Sequence, residues 1–140
     1  MTMRFSALAA LLLSLAGCAG LDPIAMQSGF VNANLTGQNF SGQSLGALNF
    51  SGSDLDGANF SNTNLKSANF SNSAAVGALF AGADLQGADL SNARFEQASL
   101  QNSNLKGANI TDTSFAGAQL TGATWVDGRV CKANSVGICN

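Results

Sequence analysis

Residues 58–72 read ANFSNTNLKSANFSN, which is three consecutive copies of one five-residue unit. The large apolar residues set the period, because Phe60, Leu65 and Phe70 are each five positions apart. A period of five fits neither an α-helix, with about 3.6 residues per turn, nor an ordinary β-strand, with about two. The stretch therefore predicts a repeat architecture, in which successive units stack on one another.

The same period continues in both directions without an insertion. Nineteen of the twenty positions between Phe30 and Trp125 that follow it are large and apolar, and Ala75 is the exception. A disordered Asn/Gly/Ser-rich segment would lack such regularly spaced apolar residues. The predicted core positions are Phe30, Leu35, Phe40, Leu45, Phe50, Leu55, Phe60, Leu65, Phe70, Phe80, Leu85, Leu90, Phe95, Leu100, Leu105, Ile110, Phe115, Leu120 and Trp125.

Each position of the unit has a physical reason. A small residue such as Ala58 lies two places before the large one, and positions two apart point to the same side of an extended segment. Gly or Asn, such as Asn62, lies two places after it and supplies the positive φ that a tight turn needs. Four such corners close a coil of twenty residues. Successive coils then pair their backbones like strands of a parallel sheet.

The units ANFSN (58–62) and ADLQG (83–87) resemble the pentapeptide-repeat family, and the resemblance covers residues 28–127. It implies an all-β fold, a right-handed parallel quadrilateral β-helix of about five coils with a solid core. At a strand spacing of about 4.8 Å, five coils give a rod about 24 Å long.

Departures from the pattern predict local irregularity. Ala75 leaves a gap in its core column, so we expect a distortion over residues 72–79 in which Val76 turns inward. The alternative is that Val76 and Leu79 form a small exposed apolar patch for a partner.

Three consecutive small-residue positions carry larger side chains: Gln38, Gln43 and Leu48. We therefore expect the N-terminal coils to be wider or partly irregular.

The N-terminus has the features of an export signal. An apolar run over residues 5–16 follows Arg4 and is too short to span a bilayer, which is typical of a secretory signal peptide. LAGC (15–18) resembles the bacterial lipobox. The resemblance implies that residues 1–17 are removed, that Cys18 is lipidated, and that residues 18–27 form a tether. Ala19, in place of the Asp of an inner-membrane retention signal, implies an outer-membrane lipoprotein that faces the periplasm.

The other two cysteines lie at the C-terminus. Cys131 and Cys139 in an exported chain predict a disulfide, which would close a cap loop over residues 128–140. Trp125 ends a core column next to this loop. A metal site is the competing interpretation, but the sequence has no histidine and no further cysteine apart from Cys18.

One outward face of the predicted rod is uniform, polar and nearly uncharged. We expect its side-chain ladders to stabilise the stack by mutual hydrogen bonding. The alternative is a flat contact surface for a protein or an envelope polymer. The candidate interaction face comprises Asn49, Ser51, Asn69, Ser71, Asn72, Asp89, Ser91, Asn92, Asn109 and Thr111.

The sequence provides no catalytic constellation. It has neither histidine nor tyrosine, and the carboxylates of Asp54 and Asp56 are predicted to lie on the surface, without a pocket that would raise a pKa. The acidic residues do not converge as a calcium site requires. We expect no enzymatic activity, no cofactor and no metal.

The charge argues against nucleic acid as a partner. The full chain carries a net charge of −2, and loss of Arg4 with the signal peptide leaves about −3.

We expect a monomeric, membrane-anchored envelope lipoprotein that acts as a structural or protein-interaction scaffold. The family resemblance also implies an alternative, because some members mimic DNA and bind type II topoisomerases. The export signal and the small net charge disfavour it.

Overall fold

The computed structural model describes residues 29–140. Three predictions lie outside these residues: the signal peptide (1–17), the lipidation site at Cys18 and the tether (18–27). Within the described part no residue is helical, and single bridge residues recur every five positions, each paired in parallel with the residue twenty positions further along. Asn34 pairs with Asp54 at one end of this series, and Asn104 pairs with Thr124 at the other. The predicted β-helix with twenty-residue, four-sided coils is confirmed.

Each corner is made by the residue two places after the large one. From position 32 to position 122 all nineteen of these residues have positive φ, from 52° at Asn32 to 73° at Gly107 and Gly122. Glycine or asparagine occupies fifteen of the corners, as the sequence predicts, but Ala47, Ser67, Gln97 and Asp112 adopt the same conformation. A left-handed conformation costs such residues roughly 1–2 kcal/mol each, so the surrounding coils must impose it.

The backbone of one side shows how the coils are joined. The N–H groups of Phe50 and Gly52 donate to carbonyls of the following coil at 2.7 and 2.9 Å. The N–H of Asp54 donates to the preceding coil at 2.9 Å, while that of Ser53 bonds to the Phe50 carbonyl within the corner, at 3.2 Å. Three of the five amides on each side therefore link neighbouring coils.

The interior is filled by aromatic and aliphatic ladders. Large residues at positions 35 to 105 are at most 2% exposed. Phe40 stacks on Phe60 with ring centroids 4.9 Å apart, and Phe60 stacks on Phe80 at the same distance. Phe50 and Phe60 meet edge to face across the core at 5.6 Å. The core is solid, as the family resemblance implies.

The predicted distortion over residues 72–79 is wrong. The amides of Ala75 and Gly77 donate to the following coil at 2.7 and 2.9 Å, as in regular units. Val76 stays on the outside, where it is half-buried, and Leu79 is 42% exposed. Of the two residues of the alternative apolar patch, only Leu79 is exposed, and it lies on the surface of a regular coil.

Two contacts explain why this coil remains regular. The ring of Phe95, one coil further along in the same column as Ala75, lies 5.1 Å from Phe80 and 6.4 Å from Phe70, and Ala75 itself is fully buried. The Ala74 side chain has no oxygen that could accept the Val76 amide. That amide donates instead to Oδ1 of Asp56 in the preceding coil, at 2.8 Å.

The predicted irregularity of the N-terminal coils is also wrong. Asn39 and Ser44 keep their parallel bridges to Asn59 and Asn64. The larger side chains of Gln38, Gln43 and Leu48 are half-buried. Among residues 29–140, the buried Oε1 of Gln43 has no hydrogen-bond partner. A glutamine in the small-residue position therefore costs free energy through burial of an unpaired polar atom, while the backbone pairing of the coil is kept.

The C-terminal cap contains the predicted disulfide, because Cys131 and Cys139 are bonded. The cap backbone reverses over the last coil: the Leu120 amide donates to the Ser135 carbonyl and the Cys131 amide to the Ala123 carbonyl, at 2.9 and 2.8 Å. Trp125, predicted to end its column, is half-buried and packs edge to face on Phe115. The cap thus completes the backbone pairing on the sides of Leu120 and Trp125.

Replacing Ala75 by Leu should lower the free energy of unfolding by about 1–3 kcal/mol, because the rings of Phe70, Phe80 and Phe95 leave no room for three more carbon atoms. Urea denaturation measures the change. Ala74→Leu is the control, since its side chain points outward, and we expect a change within about 0.5 kcal/mol. An Ala75→Leu variant more stable than the parent would show that the column contains an unfilled gap.

Candidate interaction surface

The ten residues of the predicted interaction face lie on one side of the coil stack. Asn49, Asn69, Asp89 and Asn109 form one continuous ladder of parallel bridges. The serine side chains of this face, at Ser51, Ser71 and Ser91, are half-buried. Asn72, Asn92 and Thr111 are exposed. The side is thus a regular polar surface in which each coil repeats the pattern of the one before.

The asparagine side chains on this face hold the local backbone. Oδ1 of Asn49 and of Asn69 accept the N–H two residues further on, at 3.0 and 2.8 Å, and Asp89 does the same at 3.0 Å. Units on other sides make this contact as well, for example Asn59 at 2.9 Å. Asn and Asp side chains commonly accept the backbone N–H two residues further on. An Asn two places before a Ser is therefore the sequence signal for this backbone contact.

The prediction of mutual hydrogen bonds between stacked side chains is wrong for most of the face. Among the described residues, a single pair makes one here, with Asn109 Nδ2 donating to Asp89 Oδ1 at 3.1 Å. The Nδ2 groups of Asn49 and Asn69 have no acceptor within residues 29–140. Since their Oδ1 atoms are occupied, Asn49 and Asn69 offer two neighbouring amide donors about 4.8 Å apart. The ladder continues with Asp89, and Nδ2 of Asn109 is already bonded to it.

Charged residues outside the face form surface pairs in which the base is exposed and the acid is half-buried. Lys66 lies 3.3 Å from Asp84, and Arg94 lies 3.5 Å from Glu96. Burial raises the pKa of Glu96, but hydrogen bonds from Ser114 and its own backbone, together with Arg94, outweigh it and lower the pKa. Glu96 therefore remains ionised at neutral pH, which suits an ion pair and not a general acid.

The acidic pair weighed as a catalytic candidate is engaged in backbone contacts. Asp54 Oδ1 accepts the Asp56 amide at 3.2 Å, and Asp56 Oδ1 accepts the Val76 amide at 2.8 Å. Within residues 29–140, no three His, Cys, Asp or Glu side chains are grouped so that they could hold a metal ion. None of these residues belongs to a helix that is long and apolar enough to cross a membrane.

The filled core and the twenty-residue ladder define a four-sided β-solenoid. The family profile described as "Pentapeptide repeats" matches residues 88–124 with eight copies, and "Pentapeptide repeat region" matches residues 24–92. No curated protein sequence matches the chain.

Solved structures give the same result. A pentapeptide repeat protein from the Arabidopsis thaliana thylakoid lumen is 36% identical, with a TM-score of 0.67 over 81% of this chain and 77% of that one. A pentapeptide repeat protein from Nostoc PCC 7120 is 31% identical, with a TM-score of 0.57 over 58% and 67%. The chain belongs to the pentapeptide-repeat family, whose members are generally non-catalytic structural repeat proteins.

Replacing Asn69 by Ala should lower the free energy of unfolding by about 1 kcal/mol, because the half-buried Ser71 amide loses its acceptor. Asn69→Asp keeps an oxygen at that place and should restore most of the stability. Ser71→Ala is the matched control, since the Ser71 hydroxyl makes no hydrogen bond within residues 29–140. Chemical denaturation of all three variants checks the prediction, and an unchanged Asn69→Ala variant would contradict the structural role.

Proposed function

We propose that this protein is a non-catalytic lipoprotein of the bacterial cell envelope, anchored to the membrane through Cys18, that acts as a rigid scaffold for an unidentified partner. The observation that carries the scaffold role is the coil stack itself. Its core is filled, and three of every five amides bond to a neighbouring coil. Such a stack presents its outer sides in fixed positions.

The polar face is the proposed contact surface. Its backbone is held by the asparagine oxygens, so the outward amide and hydroxyl groups of residues such as Asn69 and Ser71 are pre-positioned. Binding to a rigid surface costs less conformational entropy than binding to a mobile loop. The face therefore suits a protein or an envelope polymer that makes many weak polar contacts.

Export and anchoring are proposed from the sequence of the N-terminus. LAGC at 15–18 supplies the cysteine for lipidation, and we propose the periplasmic side of the outer membrane as the location. Two observations support a compartment outside the cytoplasm. The chain has a disulfide between Cys131 and Cys139, a bond that persists in oxidising environments. The Arabidopsis relative is a protein of the thylakoid lumen.

The anchor is tested by expression in a Gram-negative host fed an alkyne-tagged fatty acid. We expect the label on the parent protein, a processed N-terminus at Cys18, and recovery in the outer-membrane fraction. Cys18→Ser should abolish the label, whereas Cys139→Ser, which removes a different cysteine, should keep it. An unlabelled, full-length protein in the cytoplasm would refute the proposed location.

The scaffold role is tested in the same cells with a photo-crosslinking residue at Ser71, on the polar face. A probe at Gln86, a half-buried outward position on another side, is the matched control. We expect one discrete adduct from position 71 and none from position 86. Equal adducts from both positions, or none from either, would contradict a contact surface on this face.

A further inference from the structure

The C-terminal cap covers the coil stack unevenly. Amides and carbonyls on the sides of Leu120 and Trp125 are paired: the Trp125 amide donates to the Arg129 carbonyl at 2.7 Å, and the Gly137 amide donates to the Ala118 carbonyl at 2.8 Å. Within this half of the end, Ala118 and Leu120 remain fully buried. The backbone of the last coil is paired here as in an interior coil, although Trp125 is only half-buried.

The sides of Ile110 and Phe115 are different. Within residues 29–140, the amides of Ile110, Asp112 and Phe115 and the carbonyls of Ala108 and Thr113 have no hydrogen-bond partner. These groups form the open edge, residues 108–115. Gly117 lies beside Gly137 of the cap and marks the boundary of the open edge.

The preceding coil shows what such groups normally bind. The amides of Leu90, Asn92 and Phe95, twenty residues earlier, donate to the next coil at 2.8, 2.9 and 2.8 Å. The carbonyls of Ala88 and Ala93 accept amides from it at 2.9 and 3.0 Å. Every one of the five free groups therefore has an equivalent that a parallel strand occupies.

Core burial changes at the same place. Ala88, Leu90 and Phe95 are fully buried, but their equivalents one coil later are not: Ala108 is 8% exposed, Phe115 is 7% exposed, and Ile110 is only half-buried. Unpaired backbone groups and a slight loss of core burial, largest at Ile110, thus occur on the same two sides of the last coil.

We propose that the open edge binds an extended strand of a partner polypeptide, which pairs in parallel with residues 108–115 and covers Ile110 and Phe115. The argument rests on continuity with the interface that joins all the coils, because the edge repeats its donors, acceptors and apolar sites. The strand should carry a small and a large apolar residue two positions apart, as each side of the coil does. The proposal goes beyond the scaffold role and does not depend on lipidation of Cys18.

A polypeptide fits this edge better than a glycan or a lipid. Two sides present amide donors and carbonyl acceptors in the alternation that a β-strand matches group by group. Ile138, which follows Gly137 and is 68% exposed, adds an apolar contact at the boundary. An unpaired strand edge is otherwise a site of aggregation, so a dedicated occupant also removes that hazard.

The test uses the purified protein and the synthetic peptide ADLSNARFEQ, which has the sequence of residues 88–97 and stands in for the missing strand. Saturating peptide should slow hydrogen exchange at the amides of Ile110, Asp112 and Phe115 by about tenfold or more, measured by NMR. A peptide with Asn in place of its Leu and Phe should not. Absence of protection at the three amides, or equal protection by the control peptide, would overturn the proposal.

Two variants locate the effect. Ile110→Lys places a charge on the edge and should abolish peptide binding, since charged edge residues block strand addition. Ala81→Lys adds the same charge to an outward position on another side of the coil stack, away from the open edge, and should bind as the parent does. Near-ultraviolet circular dichroism confirms that both variants fold. If the three amides are instead protected without peptide, in step with protein concentration and dimer formation, the occupant is a second copy and the proposal is wrong.

Discussion

Backbone hydrogen bonds of 2.6–3.1 Å connect each coil to the coils on either side. The bridged residues are twenty positions apart in the sequence, which is one turn of the coil. These bonds can form only if every side contains five residues and every corner turns through a positive φ. Gly and Asn meet this demand readily, and the four other residue types, as at Ala47, are held in the same conformation by the bonds around them. The backbone pairing therefore determines both the period and the corner chemistry.

The same constraint explains the interior and the surface. Coils stacked at strand spacing bring equivalent side chains to within ring-stacking distance, such as 4.9 Å between Phe50 and Phe70. Only a small residue fits beside each large one, and Ser or Thr in that position returns its hydroxyl to the backbone, as Thr63 does to the Phe40 carbonyl. No space is left for a ligand inside a stack of this kind, so recognition must take place on the outer sides or at the ends.

Much of this could be predicted from sequence, because the pattern repeats. The five-residue period predicts the core columns, the corners and the coil length, and two cysteines in a chain with a predicted export signal predict the disulfide. The errors concern contacts between residues twenty apart. A small residue at Ala75 indicates a gap unless one knows that the Phe95 ring packs 5.1 Å from Phe80 and that Asp56 accepts the Val76 amide. The half-covered end likewise depends on how thirteen residues of cap fold back, which no period describes.

The candidate surface divides in the same way. The sequence predicts which ten residues share a face, but stacked asparagines suggest bonds to each other, whereas their oxygens bond to the amides two residues ahead. Local turn chemistry and repeat stacking compete for the same side-chain atoms. The turn prevails because its acceptor and donor are already adjacent along the chain.

Residue-resolved hydrogen exchange tests the central claim, the pairing of coils by backbone bonds, most directly. In interior coils the account predicts a five-residue pattern on all four sides. Amides of the large residues and corners, such as Phe70 and Asn72, should exchange slowly, and amides held by an asparagine side chain, such as that of Ser71, should exchange faster. Slow exchange confined to one or two sides, or without the five-residue pattern, would contradict a closed, four-sided coil stack.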